Sequence, residues 1–155
     1  MKVVIADDEE KVCQLICNLV DWKSFGMDIV GVVHNGFEAL DLVKESSPDL
    51  MVTDIRMPGC DGLELISRVK QLNPELEIIV ISGYRHFEYA QTAIKYGVGD
   101  YLLKPIKKDE LTATLEKMRE RYLRRTEQLS DRERMDLQMR SSVKWMRAGL
   151  FAQLL

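Results

Sequence analysis

The chain has 155 residues, 46% of them hydrophobic and 30% charged, enough apolar material for one core and too little length for two ordinary domains. No apolar run approaches the roughly 20 residues that a membrane span needs, and the acidic cluster from Asp7 interrupts any signal-peptide core, so a cytoplasmic location is expected. The net charge of −3 hides an asymmetry: residues 1–116 carry 12 Lys/Arg against 20 Asp/Glu, whereas residues 117–155 carry 10 against 5.

Residues 2–6 (KVVIA) are a short β-branched run ending at Asp7-Asp8 and predict a buried strand. Val12, Leu15, Ile16, Leu19 and Val20 then follow helical spacing, predicting a helix with one buried face. Cys13 and Cys17, on one face of that helix, have no partner cysteines or histidines that would complete a metal site, and are expected to be small buried hydrophobes. A strand over 28–33 follows, then Asn35-Gly36-Phe37-Glu38, the pattern of a capped helix start, with its helix running to about Glu45.

After Pro48, residues 49–53 (DLMVT) predict a third strand, a loop with Pro58, Gly59 and Gly62 follows, and Leu63, Ile66 and Val69 mark a third helix. A strand over 77–82, a helix from about Phe87 to Tyr96 stopped by Gly97, and a strand over 99–103 complete the alternation before a last helix near Asp109. Phe87, Ala90, Ala93 and Ile94 are expected on the buried face of the fourth helix, with Tyr89 and Tyr96 partly packed. Five strands each followed by a helix predict an α/β fold: a doubly wound parallel sheet with right-handed crossovers.

In such sheets ligands sit beyond the carboxyl ends of the strands, where this sequence delivers Asp7, Asp8, Asp54, Ser82 and Lys104. Three carboxylates held close repel one another unless a cation is present, and Mg2+ suits oxygen ligands and phosphate chemistry. Asp8 and Asp54 would be direct ligands, Asp7 would act mostly through water, and the backbone carbonyl near Arg56 would add an oxygen. Asp54 at the end of the central strand is placed as a nucleophile toward phosphorus, with Lys104 neutralising charge and Ser82 donating a hydrogen bond.

These residues resemble a response-regulator receiver domain, through Asp7-Asp8, the Thr53–Pro58 run with Gly62, Ser82-Gly83 and Lys104-Pro105, over residues 1 to about 118. The resemblance implies a flavodoxin-like strand order of 2-1-3-4-5. It implies phosphorylation of Asp54 by a sensor histidine kinase, with Mg2+ held by Asp7, Asp8 and Asp54. It further implies that Ser82 reorients toward the phosphoryl group while Tyr101 turns inward behind it. Lys104 would contact the phosphate, the bond before Pro105 would be cis, and Arg56 and Tyr84 would tune dephosphorylation. The stretch from Ser82 to Ile106 is similar to receivers that precede AraC-type DNA-binding domains. A phospho-accepting switch, homodimeric on activation, is therefore expected rather than an enzyme, with a stand-alone receiver or docking module as the alternative. A Mg2+-dependent aspartyl-phosphate phosphatase would carry Asp-x-Asp after the first strand, where this chain has Asp7-Asp8-Glu9.

Residues 119–155 are expected to form a helical linker or coiled-coil-like extension. Ser130-Asp131-Arg132-Glu133 has a capping-box pattern that predicts a new or restarted helix. Met139, Val143, Met146 and Leu150 permit a short seam, serving either dimerisation or packing on the body, and Trp145, Phe151, Leu154 and Leu155 add apolar surface. This tail is too short for an AraC-type DNA-binding module, so contact with DNA is expected only through a domain outside the chain.

Overall fold

In the computed structural model, residues 1–58, 60–83 and 87–148 are described, with side chains through residue 128 apart from Cys60 and Phe87. The strands are β1 (Lys2–Ala6), β2 (Asp28–Val33), β3 (Leu50–Thr53), β4 (Glu77–Ser82) and β5 (Asp100–Leu103), all parallel, in the order β2-β1-β3-β4-β5. The expected fold and strand order are therefore present. Each strand is followed by a helix: α1 (Glu10–Leu19), α2 (Gly36–Ser46), α3 (Gly62–Leu72), α4 (Phe87–Lys95) and α5 (Lys108–Ala148).

The continuously apolar strands are explained by two cores, one on each face of the sheet. Alternate residues of a strand point to opposite faces. Val3 and Ile5 of β1, Leu50 and Val52 of β3 and Ile79 and Ile81 of β4 pack with Cys13 and Ile16 of α1 and Leu111, Leu115 and Met118 of α5. Val4, Met51, Ile78 and Val80 point the other way, toward Ala39 and Val43 of α2, Leu65, Ile66 and Val69 of α3 and Ala93 of α4.

Several local expectations need correction. The buried residues of α1 are Cys13 and Ile16, with Val20 buried just beyond its end; Leu15 is 47% exposed, and Cys17 is half-buried. On α4 only Ala93 of the expected face is fully buried among the described side chains, and Ile94 is 65% exposed. A 3-10 turn over Trp22–Phe25 was not foreseen, and Trp22 is buried, its indole N–H donating to the Ile16 carbonyl at 3.1 Å. The loop after β3 contains a two-residue antiparallel ribbon, Arg56–Met57 with Cys60–Asp61.

The expected helix restart at Ser130 is absent, because one helix runs from Lys108 to Ala148. Arg, Glu, Leu, Gln and Met dominate residues 116–139 and have high helix propensity, so an interior serine does not break the helix. The side chains of the expected 139–150 seam, and residues 149–155, lie outside those described. The contacts divide the chain into two units, Met1–Arg119 and Glu120–Leu155. The first contains both cores; the described part of the second is helical, with an exposed Arg124–Glu120 ion pair one turn apart.

Candidate functional site

The ladder hydrogen bonds at the carboxyl edge of the sheet bring the candidate residues together. Asp7 N–H donates to the Val33 carbonyl, Asp54 N–H to the Ala6 carbonyl and Lys104 N–H to the Ser82 carbonyl, at 3.1, 3.0 and 2.8 Å. Each residue just beyond a strand is thereby fixed by the end of its neighbouring strand. Ligand oxygens of Asp7, Asp8 and Asp54 lie within 4.8 Å of one another. Asp7 and Asp54 are buried, at 1% and 8% exposed, whereas Asp8 is exposed.

Lys104 spans the cluster, its Nζ donating to Asp7 Oδ2 at 3.1 Å and to Asp54 Oδ2 at 3.0 Å. The remaining oxygens are held by the main chain: Glu9 N–H donates to Asp7 Oδ1 at 2.9 Å and Ile55 N–H to Asp54 Oδ1 at 2.6 Å. Burial pushes the Asp7 carboxyl above its ordinary value, and the Glu9 amide and the Lys104 ammonium only partly offset this. Burial pulls Lys104 down, but its hydrogen bonds and charge attraction to Asp54 and Asp7 prevail, leaving it raised. Three carboxylates and one ammonium leave two negative charges, which suits one divalent cation with oxygen preference.

Ser82 ends β4 and is buried. Tyr101, on β5, is half-buried against the α2–α4 side of the sheet, and its hydroxyl is buried without a hydrogen-bond partner. The Lys104–Pro105 peptide is cis. Arg56 is exposed, and its guanidinium donates to Tyr89 Oη at 3.2 Å and stacks 5.5 Å from the ring centroid. Ile55, Arg56, Met57, Asp61 and Tyr89 line a cavity of about 430 Å3. Tyr84 lies outside the described residues.

Two supports of the site escape a reading by motif. The His34 ring donates from Nδ1 to the Asp7 carbonyl at 3.0 Å, and the Cys13 thiol donates to the same carbonyl at 3.5 Å. Burial, with the nearby Asp7 charge, raises the Cys13 thiol to about 11. Tyr89 is partly packed against the core, as expected, and in addition takes the Arg56 guanidinium. In each case the bond links positions 27, 6 or 33 residues apart, so no local pattern announces it.

The model of the response regulator receiver domain matches residues 3–116. The chain belongs to the response-regulator receiver domain family. It is 40% identical over 117 residues to the uncharacterized transcriptional regulatory protein YesN of Bacillus subtilis, covering 76% of this chain and 32% of YesN. It is 35% identical over 114 residues to the transcriptional regulatory protein HptR of Staphylococcus aureus, covering 74% of this chain and 44% of that protein. The chain thus spans a third to a half of these relatives. Among solved structures, it resembles the REC domain of the response regulator AraT from Geobacillus stearothermophilus, with 38% identity and a TM-score of 0.77, covering 81% of this chain and 97% of that one. A two-component transcriptional regulator AraC from Clostridium phytofermentans is 27% identical, with a TM-score of 0.73, covering 83% of this chain and 98% of that one.

The chain is a receiver of the two-component signalling type, a class that signals rather than turning over a substrate and that binds Mg2+ through its acidic residues. No helix among the described residues is long and apolar enough to cross a membrane.

Proposed function

We propose that Asp54 accepts a phosphoryl group from the phosphohistidine of a sensor histidine kinase. An Asp54 carboxylate oxygen forms the new O–P bond as the donor N–P bond breaks, and the imidazole nitrogen departs with the bonding pair and takes a proton. The observation that carries this reading is the Lys104 ammonium hydrogen-bonded at once to Asp7 and Asp54 at the ends of adjacent strands. Transfer to a carboxylate depends mostly on positioning and charge neutralisation.

Asp7, Asp8 and Asp54, with the Arg56 carbonyl, would hold Mg2+, which supplies positive charge to the phosphoryl oxygens and the crowded carboxylates. The Ile55 amide fixes the orientation of the Asp54 carboxylate. Lys104 is released from Asp54 toward the incoming oxygens, and Ser82 donates to one of them. Tyr101 follows Ser82, Pro105 fixes the loop that carries Lys104, and Arg56 and Tyr84 tune the attack of water on the aspartyl phosphate.

Residues 1–118 act as the switch and 119–155 as a helical linker or dimerising extension. Activated chains pair as homodimers, and transcription is controlled through an AraC-type DNA-binding domain outside this chain, in the cytoplasm. The likeness to the AraT and AraC structures supports this output. Incubation with a small acyl phosphate and Mg2+ should add one phosphoryl mass to the intact chain, and the adduct should vanish with Asp54→Ala or chelator. An adduct that survives Asp54→Ala would overturn the assignment.

A further inference from the structure

Arg56 and Tyr89 are 33 residues apart, yet one guanidinium both hydrogen-bonds the Tyr89 hydroxyl and stacks on its ring. Arg56 sits two residues after Asp54, so at most about 7 Å of backbone separates them. Tyr89 belongs to α4; among its described side chains Ala93 is buried, Tyr89, Ala90 and Thr92 are half-buried, and Ile94 is exposed. The pairing thus joins the loop after Asp54 to the exposed side of α4, in addition to the packing of Tyr89 and Ala93.

We propose that Arg56 and Tyr89 form a latch between the phospho-acceptor loop and α4, and that the phosphoryl group on Asp54 opens it. The inference rests on Asp54 being the acceptor. A phosphoryl dianion is a much stronger partner for a guanidinium than a neutral phenol, because charged, bidentate hydrogen bonds exceed neutral ones. Before phosphorylation the guanidinium donates a hydrogen bond to the Tyr89 hydroxyl and lies against its ring. Afterwards it turns to the phosphoryl oxygens, Tyr89 loses its cation, and α4 is loosened. Tyr89 is thus a positioning residue: it touches no reacting atom and sets where Arg56 waits. The two partners of Arg56 differ between the two states, which is the differential interaction that any ligand-driven shift requires.

The test is a double-mutant cycle on the whole chain with Arg56→Ala, Tyr89→Leu and both, read by hydrogen–deuterium exchange of α4 and by intact mass. In the resting protein each single change should speed α4 exchange about fivefold, the effect of losing one exposed cation–π contact, and the double change should add nothing further. Acyl phosphate with Mg2+ should speed α4 exchange in the wild type and leave it unchanged in all three variants. Tyr89→Phe, which keeps the ring, should fall between wild type and Tyr89→Leu, and exchange in β1 and β3 should stay constant, separating the latch from general unfolding. Additive single effects, or a phosphorylation response as large in Tyr89→Leu as in the wild type, would overturn the latch. Absence of any phosphoryl mass would instead overturn the acceptor assignment, while the resting-state cycle would still decide whether the pair holds α4.

Discussion

Lys104 sets one ammonium between two buried carboxylates, and each of its two hydrogen bonds is charge-assisted. Lys104→Met should therefore cost about 2–3 kcal/mol of stability in chelator, read from the urea midpoint, because it leaves Asp7 and Asp54 facing each other without a cation. Added Mg2+ should restore most of that loss while phosphorylation by acyl phosphate stays slow. Cys13 makes a second prediction. Its thiol titrates near 11 in the folded chain against 9.0 as the ordinary value. Below pH 9 it is neutral in both states; between pH 9 and 11 the unfolded chain loses its proton first, so stability falls as pH rises through that window. The pH slope of the urea midpoint from 9 to 11 should be shallower in Cys13→Ala than in the wild type. The acidic residues, Ser82 and Lys104 were legible from their positions after strands, whereas the His34, Cys13 and Tyr89 contacts exist only once distant segments pack.

At the scale of elements, the inner strands β1, β3 and β4 were readable because both of their faces are buried, whereas the edge strand β2 leaves Val30 and Val32 exposed. The start of α2 was equally plain: the Asn35 side chain accepts from the Glu38 amide at 2.8 Å, as its spacing predicted. Asn35→Ala should lower stability by about 1 kcal/mol in a urea titration. The two-residue ribbon and the 3-10 turn at Trp22 are shorter than any repeat that periodicity can register. The face of α1 was misjudged because its apolar stripe is wider than the strip the sheet covers, which leaves Leu15 outside. Gly62 marks the tightest point: its amide donates to the Ile55 carbonyl at 2.7 Å, and a Cβ there would overlap that same carbonyl. Gly62→Ala must push the loop that follows Asp54 out of place. The expected result is a loss of about 1–3 kcal/mol by thermal melting and slower acyl-phosphate labelling.

For the whole molecule, both cores lie within Met1–Arg119, so that portion should unfold cooperatively without the remainder. A chain ending at Arg119 should keep a single thermal transition. At a hundred times its dissociation constant, Mg2+ should stabilise that chain by about 2.7 kcal/mol, and Asp8→Asn should abolish most of the gain. A chain whose melting ignores Mg2+ would contradict the metal assignment. The charge asymmetry legible in the sequence, −8 over residues 1–116 and +5 over residues 117–155, falls close to the boundary between the two units.

The Tyr101 hydroxyl, enclosed with nothing to bond, carries a cost in the arrangement described. A buried hydroxyl that forgoes its hydrogen bond gives up about 1–3 kcal/mol, equivalent to a factor of about 5–150 in a population ratio. Any arrangement that lets this oxygen reach water or a carbonyl is favoured by that factor, set against the packing the ring would lose. The ring is therefore held by its packing, and Tyr101→Phe should cost the fold no hydrogen bond.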